Sequence, residues 1–268
     1  MAGDGVQLAV LDEGAGDPVL LLHGFPDSAR LWRHQIAALT GAGMRAIAPD
    51  LRGFGSSEKP AEVGAYRVGR SVADMVALLD SLGIEKARVV GHDWGAGVAW
   101  AMAAFVPERV ERLVVMSVGH PALRSSRTIE QRRLSWYMLL FQFEGVAEEL
   151  LMRDDWKLTR EWAATHPDLE ERLAALGEPG ALTAGLGWYR ANMHPARELD
   201  PPRAVPPVQA PTLGLWSDGD EYLTEDGMTR SAEHVAGPWR YERIEGAGHW
   251  LQVDAADRVN ELLLEFLA

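Results

Sequence analysis

The sequence predicts an α/β fold built on a mostly parallel sheet, with a helical cap inserted late in the chain. Three observations carry that expectation. Short apolar runs alternate with segments of helical period. From about Ala122 to Pro207 no strand-like run occurs, while Arg, Glu, Trp and Leu are plentiful. Strand character then resumes before the C-terminus.

The elements follow in order. Pro18–Leu22 is a buried strand ending in His23-Gly24-Phe25-Pro26, and Met44–Ala48 is another, ending at Pro49-Asp50. Between Arg70 and Leu82 the apolar residues Val72, Met75, Val76 and Leu79 recur at helical spacing, with Gly83 as terminator. Ala87–Val90 is a strand, Gly95–Phe105 an Ala-rich helix stopping at Pro107, and Val110–Val118 a further strand. Pro201, Pro202, Pro206 and Pro207 mark the return from the helical insert. Thr212–Trp216 and Arg240–Ile244 are the last strands, and Val259, Leu262, Leu263 and Phe266 share one face of the final helix. The expected organisation is a core over 1–121 and 208–268, with the cap over 122–207.

Composition narrows the function. The 268 residues are 47% hydrophobic and 24% charged, which fits a folded globular enzyme. Lys and Arg number 26 against 39 Asp and Glu, a formal charge of −13, and no basic stripe appears, so nucleic acid is not an expected partner. There are no cysteines, which excludes disulfides, thiolate metal sites and a Cys nucleophile. No apolar run reaches the ~18 residues that span a bilayer, and the N-terminus lacks a signal-peptide pattern. The expectation is a cytoplasmic protein with no membrane partner; the oligomeric state is not readable.

The turn Gly91-His92-Asp93-Trp94-Gly95 lies between a strand and a helix. Such a turn strains its central residue and projects that side chain over the sheet edge, near the positive end of the following helix. Serine is the usual occupant and needs a base to become nucleophilic. Asp93 is already ionised at neutral pH, and a carboxylate suits displacement at a saturated carbon, giving an ester that water must cleave. The plainer alternative is an N-capping Asp. His249, one of eight histidines, alone falls in a Gly-rich loop after the last strand, where the order nucleophile, acid, histidine places the base. The orienting acid belongs on Ser217-Asp218-Gly219-Asp220-Glu221, which offers three carboxylates. Gly119-His120-Pro121, the other loop that could supply it, has none.

With these motifs in order the chain resembles the α/β-hydrolase superfamily, and within it the epoxide hydrolases, which are related to haloalkane and fluoroacetate dehalogenases. The resemblance spans nearly the whole length and rests on His23-Gly24-Phe25-Pro26, Asp50-Leu51-Arg52-Gly53-Phe54-Gly55-Ser56-Ser57, His92-Asp93-Trp94-Gly95 and Gly248-His249-Trp250. It implies Asp220 rather than Asp218 as the acid. It also implies two cap tyrosines that donate hydrogen bonds to the epoxide oxygen. Tyr137, in Tyr137-Met138-Leu139-Leu140-Phe141-Gln142, and Tyr189, in Gly187-Trp188-Tyr189-Arg190, match those segments. Ordinary packing also produces the spacing of Leu134, Tyr137, Met138 and Phe141, but only five tyrosines exist in the chain. Glu144 departs from the family, where proline is common.

The implied reaction opens an epoxide to a vicinal diol. Asp93 forms an alkyl-enzyme ester, His249 activates the hydrolytic water, and Asp220 orients His249. The backbone N–H groups of Phe25 and Trp94 bind the oxyanion, with Phe25-Pro26 expected to be cis, and no metal or organic cofactor is required. Trp188, with Trp136 and Phe141, is expected to favour a hydrophobic small-molecule epoxide. Two other readings stay open. A haloalkane or haloacid dehalogenase shares the Asp nucleophile, but Phe25 offers no side-chain donor for halide and no arginine follows Asp93 closely. A non-catalytic ligand-binding member of the fold would be expected to have lost part of the triad.

Overall fold

The computed structural model describes residues 5–126, 128–199 and 204–268. Seven strands form one sheet: β1 (Val10–Gly14), β2 (Pro18–Leu22), β3 (Arg45–Pro49), β4 (Ala87–His92), β5 (Val110–Met116), β6 (Thr212–Ser217) and β7 (Trp239–Ile244). Their order is β1-β3-β2-β4-β5-β6-β7, with β1 antiparallel to β3 and every other pairing parallel. Parallel strands need crossovers, and crossover helices cover both faces, so central strands must be apolar throughout. β4 is buried along its whole length, and β2 at every position except its first.

Helices α1 (Arg33–Gly41), α2 (Val68–Ser81) and α3 (Trp94–Phe105) precede β5. α3 is buried on nearly every face, consistent with its run of Ala, Val, Trp and Met. Between β5 and β6 lie α4 (Ile129–Leu134), α5 (Trp136–Leu140), α6 (Val146–Trp162), α7 (Leu169–Leu176) and α8 (Ala181–Asn192), and no strand occurs there among the described residues. α6 is interrupted at Arg153–Trp156, where three residues take positive φ. The chain finishes with α9 (Glu225–Thr229), α10 (Leu251–Asp254) and α11 (Ala256–Leu267) around β7. Val259, Leu262 and Leu263 are buried as their spacing foretold, and Phe266 packs partly buried against the same core.

β1 was not legible in the sequence. Four of its five residues are exposed, so it carries no apolar run, and it is held by backbone pairing and a bidentate Arg45–Asp12 pair at 2.7–2.8 Å. Elsewhere the strand and helix boundaries move by at most two residues, as they do when end residues obey caps rather than periodicity. The prolines at 201 and 202 lie outside the described residues.

Candidate active site

The apolar strand β4 delivers Asp93 at its C-terminal edge, and α3 starts at the next residue. Asp93 takes φ 52° and ψ −121°, a strained conformation for a residue with a side chain. Two glycines make room for it. A Cβ on Gly24 would collide with the Asp93 carboxylate, and one on Gly95 with the Leu22 carbonyl. The N–H of Phe25 donates to Asp93 Oδ1 at 2.8 Å, and the Phe25-Pro26 peptide is cis. Oδ1 is thus anchored, while Oδ2 lies 3.8 Å from His249 Nε2, beyond hydrogen-bond length.

On its other nitrogen, His249 Nδ1 meets Asp220 Oδ2 at 2.9 Å. Asp220 Oδ1 accepts the backbone N–H groups of Tyr222 and Leu223, which fixes the carboxylate plane. The neighbouring acids are engaged elsewhere: Asp218 accepts the Gly246 N–H and faces Arg243, and Glu221 accepts the Thr165 hydroxyl. Of the three acids on this loop, Asp220 is the one that meets His249.

The charges follow from this arrangement. Burial disfavours the imidazolium, yet the attraction of Asp220 and then of Asp93 outweighs it and pushes His249 up to about 10. Burial likewise opposes ionisation of Asp93, but His249, His92 and the Phe25 N–H hold its carboxyl below the usual range. Asp220 is lowered against burial in the same way, chiefly by His249. His92 goes the opposite way, down to about 4, through burial and the adjacent His249 charge. One of the two imidazoles therefore stays neutral.

Four supports of the base escaped the sequence reading. His92 Nε2 donates to the His249 carbonyl at 2.9 Å, and the Ser117 hydroxyl donates to the same oxygen at 3.3 Å. Ser217 donates to the Gly248 carbonyl at 2.6 Å, and the Trp250 indole N–H donates to buried Asp27 at 3.0 Å. His92, beside the nucleophile, and Trp250, beside the base, had positions that could have drawn attention; the two serines are brought in by strand ends.

A cavity of about 710 Å³ opens beside Asp93. Its walls include Trp94, Tyr137, Met138, Tyr189 and Leu223. Tyr137 and Tyr189, from α5 and α8, are both nearly fully buried, with ring centroids 5.9 Å apart. Burial, the Asp93 charge and Tyr137 raise the Tyr189 hydroxyl well above its ordinary range, so it remains a donor. Trp188 corrects an expectation. It does not line the cavity, because its indole N–H is committed to the Arg52 carbonyl at 3.1 Å and its ring backs Trp94 at 5.5 Å. Trp136 also faces away, 48% exposed, and Glu144 is exposed in the turn before α6.

A strained acid on a strand–helix turn, a histidine after the last strand and a capping set of helices define a class, and comparison agrees. A family model described as the α/β hydrolase fold matches residues 17–256. The chain belongs to the α/β-hydrolase fold family, among its epoxide hydrolases. It is 35% identical to epoxide hydrolase A of Mycobacterium tuberculosis, over 98% of this chain and 95% of that protein. Among solved structures it resembles the Bacillus megaterium epoxide hydrolase crystallised with an inhibitor, with TM-score 0.89, 28% identity and coverage of 100% and 99%. Epoxide hydrolase A of Mycobacterium thermoresistibile superposes with TM-score 0.85, 33% identity and coverage of 100% and 96%.

Proposed function

We propose that this protein hydrolyses an epoxide to a vicinal diol through an ester on Asp93, in the cytoplasm, with residues 122–207 as the cap that supplies the two tyrosines. The observation that carries the reading is the pair Tyr137 and Tyr189, two buried hydroxyl-bearing rings on the wall of the cavity that also contains Asp93.

The chemistry runs from the geometry. Oδ2 of Asp93, the oxygen left free by the Phe25 N–H, attacks an oxirane carbon and the strained C–O bond breaks. Tyr137 and Tyr189 stabilise the emerging alkoxide by hydrogen bonding. Esterification removes the negative charge that helped hold the His249 proton. The imidazolium then releases that proton to the alkoxide, by way of the tyrosines or solvent, and becomes a base. Neutral His249 takes a proton from water, and the hydroxide adds to the Asp93 carbonyl carbon. The oxyanion forms on Oδ1, where the Phe25 N–H already points, with the Trp94 N–H as the second proposed donor. Collapse breaks the ester C–O bond, the carboxyl proton passes to the departing alkoxide, and Asp93 and the imidazolium are restored. Asp220 holds the imidazole tautomer throughout.

Replacing His249 by Gln tests this reading. With an epoxide such as styrene oxide, the variant should gain the mass of the epoxide and form no diol. An unmodified variant would refute the covalent route. A dehalogenase needs a second donor converging on the halide. Phe25 supplies none, its ring packing against Phe54, Phe141, Trp162 and Tyr189.

A further inference from the structure

The loop that carries Asp220 is held from two sides, and the second hold comes from a helix remote in sequence. Within the loop, the N–H groups of Tyr222 and Leu223 donate to Asp220 Oδ1 at 2.9 and 3.0 Å. Against the same segment lies Gln131, in the first turn of α4 and only 7% exposed. Its Nε2 donates to the Tyr222 carbonyl at 2.8 Å and to the Ser135 hydroxyl at 2.9 Å. Its Oε1 accepts the Thr224 N–H at 2.9 Å and the Thr224 hydroxyl at 3.1 Å. A carbonyl can only accept and an N–H can only donate, so the amide fits in one orientation, with both donor hydrogens and both lone pairs engaged. The start of α4 is itself fixed by the Thr128 hydroxyl, which accepts the Gln131 N–H at 3.1 Å.

Gln131 and Tyr222 are 91 residues apart, so the contact joins the helical segment between β5 and β6 to the loop at the end of β6. Tyr222 is where the two meet. Its N–H serves Asp220, its ring lies edge-on to His249 with centroids 5.0 Å apart, and α4 holds its carbonyl. Its hydroxyl donates to the Trp162 carbonyl at the end of α6 at 2.8 Å. Gln131 and Thr224 also sit on the wall of the cavity that contains Asp93. The amide has no capacity left over for a bound molecule, so its influence on the site passes through the loop it grips.

Resting on the epoxide hydrolase reading, we infer that Gln131 is a positioning residue for the ester-hydrolysis step: through the Tyr222–Thr224 backbone it keeps the Asp220 carboxylate aligned on His249. The seating of α4 thereby sets the strength of the base. His249 interacts with Asp220, Asp93, His92, the Tyr222 ring and Asp254. Of these, Asp220 and Tyr222 lie on the held loop. Without the amide, the two N–H groups on Asp220 Oδ1 lose their fixed direction, and Oδ2 is no longer held against the imidazole. The imidazolium that forms when His249 takes a proton from water is then less stabilised. Ester formation draws instead on Asp93 and the two tyrosines.

The test is Gln131→Met, which keeps the length of the side chain and removes its amide. Intact mass follows the rise and decay of the alkyl-enzyme in a single turnover of styrene oxide, with near-ultraviolet circular dichroism to establish folding. The ester should form at the wild-type rate and decay at least ~10-fold more slowly, a part of the ~10²–10⁴-fold that a well-placed general base supplies. In the steady state kcat and KM should fall together. His249, read from its ring-proton NMR shifts and assigned against His249→Gln, should titrate below the value of about 10 set in the wild type. Thr224→Val removes only the hydroxyl contact to Gln131 and should move both readouts the same way by less; it carries the test if Gln131→Met does not fold. Unchanged ester decay and an unchanged His249 titration would overturn the inference, as would slower ester formation with decay spared, and either would leave epoxide hydrolysis standing. If the wild type forms neither ester nor diol, the epoxide reading fails and the inference falls with it.

Discussion

The proton on His249 is the pivot of the chemistry at the scale of single residues. Two carboxylates hold it, and only Asp93 changes charge during turnover, so the histidine should switch from acid to base when the ester forms. Asp93→Asn imitates that loss of charge, and Asn tolerates positive φ. Its His249 should titrate clearly below the value of about 10 set in the wild type, as read from the ring-proton NMR shifts. An unchanged value would mean that Asp220 alone holds the proton. The stability consequence has a definite sign. A folded-state value above the ordinary 6.5 gives a contribution that is complete below about pH 6.5 and lost as pH rises through about 10. In Asp93→Asn that alkaline loss should be smaller and should be complete at a lower pH in denaturation curves. The tyrosines carry a separate expectation. Tyr137→Phe or Tyr189→Phe should each slow ester formation by ~10- to 100-fold, the worth of one transition-state hydrogen bond of ~1.5–3 kcal/mol. Unchanged single-turnover rates in both variants and in the double variant would remove them from the mechanism. Asp93, His249 and the short list containing Asp220 were legible because each sits in a glycine-bearing turn at a predictable strand end. Ser117 and Ser217 were not, since a serine at a strand end has no local signature and acts only where the chain folds back.

At the scale of elements, the helix that carries Tyr189 is clamped from behind. Arg190, next to Tyr189 on α8, donates to the Glu148 carboxylate of α6 at 2.7 and 2.9 Å and to the Phe141 carbonyl at 2.9 Å. That carbonyl ends the α5 turn carrying Tyr137, so one guanidinium fixes both tyrosine-bearing segments. Burial opposes the Glu148 charge, but Arg190 holds its carboxyl below the usual range. Arg190→Met would strand the carboxylate in a largely buried position and should cost about 3 kcal/mol or more in urea denaturation, while also slowing ester formation. Wild-type stability in that variant would show the clamp to be ornamental. Helical periodicity located α8 only as part of the insert, because Gly185 and Gly187 interrupt its pattern. Those glycines admit the rings of Phe25 and Tyr66, a tertiary requirement that no local rule contains.

For the whole molecule, a buried ion pair of the core lies beneath α8. Arg52, fully buried, makes two contacts of 2.6 Å with Asp74 of α2, while its own carbonyl receives the Trp188 indole N–H from α8. Asp74→Ala leaves a guanidinium without its partner in the interior and should cost ~3–5 kcal/mol. Sheet signals and cap tyrosines should then be lost in the same transition, monitored by far- and near-ultraviolet circular dichroism. Separate transitions would show that the two parts are energetically independent. The alternation of apolar runs was enough to foresee the parallel sheet, and the long strand-free stretch enough to foresee the insert. The seam between them was not foreseeable, because nothing local to Arg52 or Asp74 shows that the two pair or that α8 passes over the Arg52 carbonyl.

The covalent role of Asp93 joins these scales, and one measurement reaches it most directly. Excess enzyme is allowed a single turnover of an epoxide in ¹⁸O-water, and both diol and protein are analysed by mass. The account predicts that the label enters the Asp93 carboxylate and that the first diol contains none, because its new oxygen comes from the enzyme. Label in the diol from the first turnover, with Asp93 unlabelled, would contradict it.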